Sequence, residues 1–161
     1  MHRVIEDARD SLIVVGISPL LEFQSRVPWL IEKFDHLKSV QIAYLSTESE
    51  HVRTRTIQGG EYIMEELNHH KTILTRLQEG SKSHNITMIE YDLPPAEFFY
   101  LADQRVLLAT WYPFGKGEVS PCVLIENAQR GEQSGKILNH FMTSFEFITE
   151  RSQKLKDQAA N

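Results

Sequence analysis

With 161 residues, 41% of them hydrophobic and 24% charged, the chain has the make-up of one ordinary folded α/β domain spanning 1–161, short for two and not expected to be disordered except at its ends. A formal net charge of −5 works against a general nucleic-acid surface, which neutralises phosphates with clustered Lys and Arg, and leaves room only for a local basic patch. No apolar run approaches the roughly 20 residues of a membrane helix, and MHRVIEDARD carries acids where a signal peptide has its apolar core, so a cytoplasmic protein is expected.

After the charged opening, SLIVVGI at 11–17 is a short β-branched run that leads into Ser18-Pro19, the mark of a buried strand and its exit. Leu20, Phe23, Val27, Leu30, Ile31, Phe34 and Leu37 then recur at helical spacing, with Pro28 near the first turn, where a missing N–H costs little. SVQIAYLS at 39–46 predicts a second strand, and Thr47 or Ser49 is placed to cap the helix that follows. The stretch 50–79 is too long for one undisturbed helix, because Gly59-Gly60 interrupts it, and a break is expected there. Beyond it Ile63, Met64, Leu67, Leu74 and Leu77 keep one apolar stripe as far as Gly80.

NITMIEY at 85–91 is the third strand, and Pro94-Pro95 forces an extended connection. AEFFYLADQRVLLATW then reads as two strands joined by a tight Asp103-Gln104 turn, and an aromatic cluster of Trp111, Tyr112 and Phe114 follows. The lone Cys122 lies in the apolar run PCVLIEN and is expected to be a small buried thiol; one cysteine gives no disulfide framework. Ile137, Leu138, Phe141, Met142, Phe145 and Ile148 form the apolar face of a closing helix, and 152–161 reads as a solvated tail. The order βα, βα, several strands and a last helix implies an α/β fold: a mixed β-sheet, parallel in its first half through right-handed crossovers, with helices on both faces.

This order, and the hairpin above all, resembles one half of the phospholipase D superfamily, whose signature is H-x-K-x4-D followed by a G-S-x-N turn. Asp103 stands at the Asp position. Counting back, the family's His falls on Ala96 and its Lys on Phe98; counting forward, the turn falls on Thr110, Trp111, Tyr112 and Pro113. SLIVVGIS is similar to the family's first strand, and PCVLIEN with the closing helix to its last strand and helix. The whole chain further resembles degenerate phospholipase D-like domains at the C-terminal side of bacterial transcriptional regulators. In active members a His attacks phosphorus while Lys and Asn hold the non-bridging oxygens. Ala96 offers no nucleophile and Phe98 no charge, so the resemblance implies a domain without that chemistry. It also implies a homodimer, since two copies of the motif meet to form one site in the family.

Side chains two apart on a strand share a face, which would put Ala96, Phe98 and Tyr100 on the former catalytic floor. Trp111, Tyr112 and Phe114 would wall the same space, making a pocket for a flat or apolar ligand or a subunit contact. The alternatives are plain: the aromatics are ordinary core, and Asp103 is simply good turn chemistry. A second candidate is STESEHVRTR at 46–55. Arg53 and Arg55, with Ser46 and with Ser18 at the first strand's exit, lie where open α/β sheets collect ligands and would suit an anionic or nucleotide-like molecule. Mixed Arg and Glu on a helix is, however, the pattern of a solvated face.

RGEQSGK at 130–136 is not a phosphate-binding loop, because three residues rather than four separate Gly131 from Gly135 and Ile137 replaces the metal-binding hydroxyl; Ser134 capping the last helix is the better reading. His69 and His70 point about 100° apart on a helix, so no metal is expected, and no motif calls for a cofactor. The leading expectation is a non-catalytic, homodimeric ligand-sensing module of a bacterial regulatory or defence system, acting through an output domain or partner protein outside this chain. Against it stand a metal-independent phosphodiesterase or nuclease using a relocated His such as His84 or His51, and a purely structural dimerisation domain.

Overall fold

The run SLIVVG forms the centre of the sheet. In a computed structural model, which describes residues 1–53, 62–82, 85–111, 122–126 and 132–159, it is strand β1 (Ser11–Gly16), flanked by β2 (Ser39–Leu45) in parallel register and by β4 (Glu97–Ala102) running antiparallel. β3 (Ile86–Tyr91) extends the parallel half beyond β2; β5 (Val106–Trp111) and β6 (Cys122–Ile125) extend the antiparallel half beyond β4. The spatial order is β3-β2-β1-β4-β5-β6, a mixed α/β sheet as expected.

Alternation along β1 sends its side chains to two different cores. Leu12 and Val14 meet α1 (His2–Asp7), the 3₁₀ segment Leu21–Arg26, α2 (Val27–Asp35) and the later turns of α3 (Ile63–Gly80). Ile13 and Val15 meet α4 (Glu132–Ala159) on the other face through Leu138, Phe141 and Phe145. The helical run after β1 is therefore split into a 3₁₀ turn and an α-helix, with Pro28 in the helix's first turn and Leu20, Phe23, Val27, Leu30, Phe34 and Leu37 all buried. Two long polar side chains close helix ends. Lys33 donates to the carbonyls of Glu6 and Ala8 at 2.8 and 2.9 Å, and Asn85 donates to those of Phe34 and Leu37 at 2.8 and 2.5 Å. α3 does end at Gly80, and a Cβ there would overlap the Ile31 side chain, so the glycine serves close packing of α3 on α2.

Several expectations need correction. The charged opening conceals α1, whose Val4 and Ile5 are buried. Cys122 is exposed, because β6 is the sheet's edge and its side chains alternate between exposed and half-buried. Ser134 lies inside α4 and does not cap it, and Ile137 and Met64 are 38% and 40% exposed, off their helices' buried stripes. The tail from 152 continues α4 to Ala159, with Ser152 buried and bonded to the Ile148 carbonyl at 2.8 Å. The break expected at Gly59-Gly60 lies outside the described residues. Among the described residues no helix is long and apolar enough to cross a membrane.

The Asp103-Gln104 turn ties the two halves of the sheet together. Both residues adopt positive φ, 53° and 52°, and Arg105 N–H closes the turn on the Ala102 carbonyl at 2.9 Å. The Asp103 carboxylate accepts the backbone N–H groups of Arg9, Asp10 and Ser11 at 2.9, 2.8 and 2.8 Å, which clamps the start of β1 to the end of β4. Partial burial pushes its pKa up, but the three bonds, with Arg105 nearby, outweigh that and hold the carboxyl below its ordinary value. Asp103→Ala is expected to lower stability by about 2 to 3 kcal/mol in urea unfolding, the scale of hydrogen bonds to a charged group, and Asp103→Asn by less. Gln104→Gly is expected to raise stability by about 0.5 to 1 kcal/mol by relieving a side chain from left-handed backbone; a loss would mean that Gln104 is held by something other than the turn.

Candidate functional site

The parallel strands β1, β2 and β3 end on the same side of the sheet, and β4 begins there beside β1. To pass from β3 to β4, residues 92–96 must cross the ends of β2 and β1. Three inter-strand spacings make about 14 Å, while the six Cα steps from Tyr91 to Glu97 reach at most about 21 Å. The crossing uses about two-thirds of that reach. Pro94 and Pro95, fixed near φ −65°, suit such an extended span and cannot donate to any ladder.

Between this bridge and α4 lies a cavity of about 230 Å³. Tyr91, Leu93, Pro94, Pro95 and Ala96 form one side, and Ser144, Phe147 and Ile148 of α4 the other. Tyr91 is buried and donates its hydroxyl to the Gly16 carbonyl at 3.1 Å, so the floor is rigidly held. Glu97 completes the lining. Its side chain is only 12% exposed, and one carboxylate oxygen, Oε1, lies 2.6 Å from Nε2 of His140, which is 56% exposed. A second hollow of about 310 Å³, lined by Glu150, Arg151 and Lys154, adjoins it and shares Leu93 and Phe147.

The residues singled out from sequence do not converge on one place. Phe98 and Tyr100 share a face and pack edge to face at 5.3 Å, but that face belongs to the α1 and α2 core, opposite the cavity. Tyr100 is fully buried with its hydroxyl donating to the Pro19 carbonyl, so it is core and lines no ligand pocket. Asp103 stands at the far end of β4, about 20 Å of strand from Glu97, with its carboxylate occupied by β1. Trp111 ends β5 opposite Glu97; Tyr112 and Phe114 lie outside the described residues.

Ser18 and Ser46 do follow adjacent strand ends, and Ser46 Oγ accepts Glu48 N–H at 3.3 Å. Ser49 caps the helical residues that begin at Glu50, its Oγ accepting His51 N–H at 3.1 Å while donating to Asp92 at 2.5 Å. Arg53 is exposed, and Arg55 and His84 lie outside the described residues. The Asp92 carboxylate held beside the cap works against an anion there. Among the described residues no group of three or more His, Cys, Asp or Glu could hold a metal ion.

Glu97, His140, Ser144 and Phe147 were not singled out from sequence. Phe147 alone left a signal: a large aromatic one position off the apolar stripe of its helix, and 59% exposed in the fold.

No family model matches the chain, and no curated protein matches it. Among solved structures it is similar to TrmBL2, described as an archaeal chromatin protein with a novel mode of DNA binding, at 8% identity and a TM-score of 0.48. The match covers 88% of this chain and 46% of that one, so the chain spans about half the length of that protein.

One further titratable group is buried. His70 of α3 has no exposed surface, neither ring nitrogen has a hydrogen-bond partner, and Tyr44 meets it edge-on at 5.6 Å. Burial lowers its pKa from 6.5 to about 4. The folded state therefore binds fewer protons than the unfolded one. The neutral ring's contribution is complete above pH 6.5 and is lost as pH falls toward 4, with an upper bound of roughly 3 kcal/mol at about 1.4 kcal/mol per unit. Urea unfolding at pH 7.5 and 5 should show the wild type losing up to about 2 kcal/mol more than a His70→Phe variant. An equal loss in both would show that His70 does not titrate on unfolding.

Proposed function

We propose that the chain is a non-catalytic phospholipase D-like module that binds a small molecule and pairs with a second copy. It would serve a bacterial regulatory or defence system through an output domain or partner outside this chain. The observation that carries the binding part is the cavity of about 230 Å³ at the carboxyl ends of the parallel strands, walled mainly by apolar side chains with the Glu97 carboxylate and the hydroxyls of Tyr91 and Ser144. Open α/β sheets collect ligands at this position, and a few placed polar groups in an apolar cleft are the usual make-up of a ligand site. By itself the cavity is smaller than the roughly 300 Å³ of drug-sized sites, a fit for a small metabolite. Ala96, where the resembled family has its nucleophile, contributes a methyl group to the wall. Pairing with a second copy rests on the resemblance alone.

A second reading, a phosphodiesterase or nuclease, is favoured by the Glu97–His140 contact of 2.6 Å. A carboxylate holding an imidazole at the rim of a cleft is the geometry of a general base. A thermal-shift screen of nucleotides and small aromatic metabolites, run beside a turnover assay with a generic phosphodiester and single-stranded DNA, tests these readings. The sensor predicts a ligand that stabilises by about 2.7 kcal/mol at 100 times its Kd, with no turnover. Metal-independent turnover abolished by His140→Gln would replace it with the enzyme. No shift from any compound would leave a structural dimerisation domain.

A further inference from the structure

We propose that the cavity beneath the Pro94–Pro95 bridge takes a ligand with a protonated amine on a small apolar or aromatic body, the amine docking on the second oxygen of Glu97. The inference rests on the binding reading above and names its ligand class. A carboxylate with 12% exposure has lost most of its water, which is unfavourable unless its lone pairs are used. His140 engages one oxygen. Among the described residues nothing donates to the other, which keeps some accessible surface, and Glu97 lines the cavity. An ammonium supplies the missing donor to that second oxygen together with a charge opposite to a carboxylate's.

The remaining walls set the rest of the ligand. Leu93, Pro94, Pro95, Phe147 and Ile148 offer apolar contact, and Ser144 adds a hydroxyl beside that of Tyr91, which is bonded to the Gly16 carbonyl. An anion placed here would face the Glu97 charge, and among the described residues the cations nearest the lining are Arg151 and Lys154 of the adjoining hollow. Discrimination against acids is therefore part of the site, and it comes from repulsion as much as from attraction.

Calorimetric titration of the full chain with phenethylamine, phenethyl alcohol and phenylacetate separates the possibilities. The expected result is binding of the amine at least 10-fold tighter than the alcohol, with the acid weakest. Glu97→Gln, which keeps size and shape, should bring amine and alcohol within about 3-fold of each other. Phe147→Ala, at an exposed position that leaves the core intact, should weaken both while preserving their ratio. Binding of all three with equal strength, a preference for the acid, or an amine preference that survives Glu97→Gln would overturn the assignment of ligand class and leave the cavity as a binding site. Failure of every probe at millimolar concentration would overturn the binding reading itself, and this inference with it.

Discussion

The crossing from β3 to β4 is the constraint from which the candidate site follows. Strand order makes residues 92–96 pass over two strand ends, and Pro94 and Pro95 hold part of that span extended. α4 packs against the same face of the sheet through Leu138, Phe141 and Phe145, and the space left between helix and bridge is the cavity. Its rigidity comes from the two prolines above and the buried Tyr91 below. Neither Glu97 nor His140 is special as a residue; their 2.6 Å approach arises because the bridge delivers Glu97 to the start of β4 beneath the first half of α4.

The hairpin after the bridge has the opposite character. Its polar turn is consumed by structure, since the Asp103 carboxylate answers three N–H groups at the start of β1, where the chain arrives from α1 before its ladder with β4 begins. Its aromatic side is consumed as well. Tyr100 joins the first strand's exit to the hairpin through Pro19, and Phe98 leans on it. Phe98 and Asp103 thus serve the packing and anchoring of β4, and Glu97 sits at the other end of the strand.

Much of the fold was legible because period and punctuation agree. The alternation of Leu12 and Val14 against Ile13 and Val15, the helical spacing from Leu20 to Leu37, and the Asp-Gln turn each describe a local geometry that the tertiary structure keeps. Parity correctly put Phe98 and Tyr100 on one face, but it carries no information about which face a helix will cover. α1 is what covers it, and α1 was hidden because six residues with only Val4 and Ile5 inside show no period. Cys122 failed for a similar reason: an apolar run announces a strand and does not say whether that strand lies at the edge. Glu97 and His140 are 43 positions apart, and no motif links them; their meeting follows from strand order and the length of the bridge.

The central claim is that ligand enters beneath the bridge and not at the hairpin's aromatic face or the Arg53 turn. Amide chemical-shift mapping during titration with phenethylamine tests it directly. The account predicts perturbations concentrated at Leu93, Ala96, Glu97, Ser144 and Phe147, with Phe98, Tyr100 and Asp103 changing little. Perturbations clustered around Ser46 and Arg53, or spread along the Asp103 turn, would contradict it.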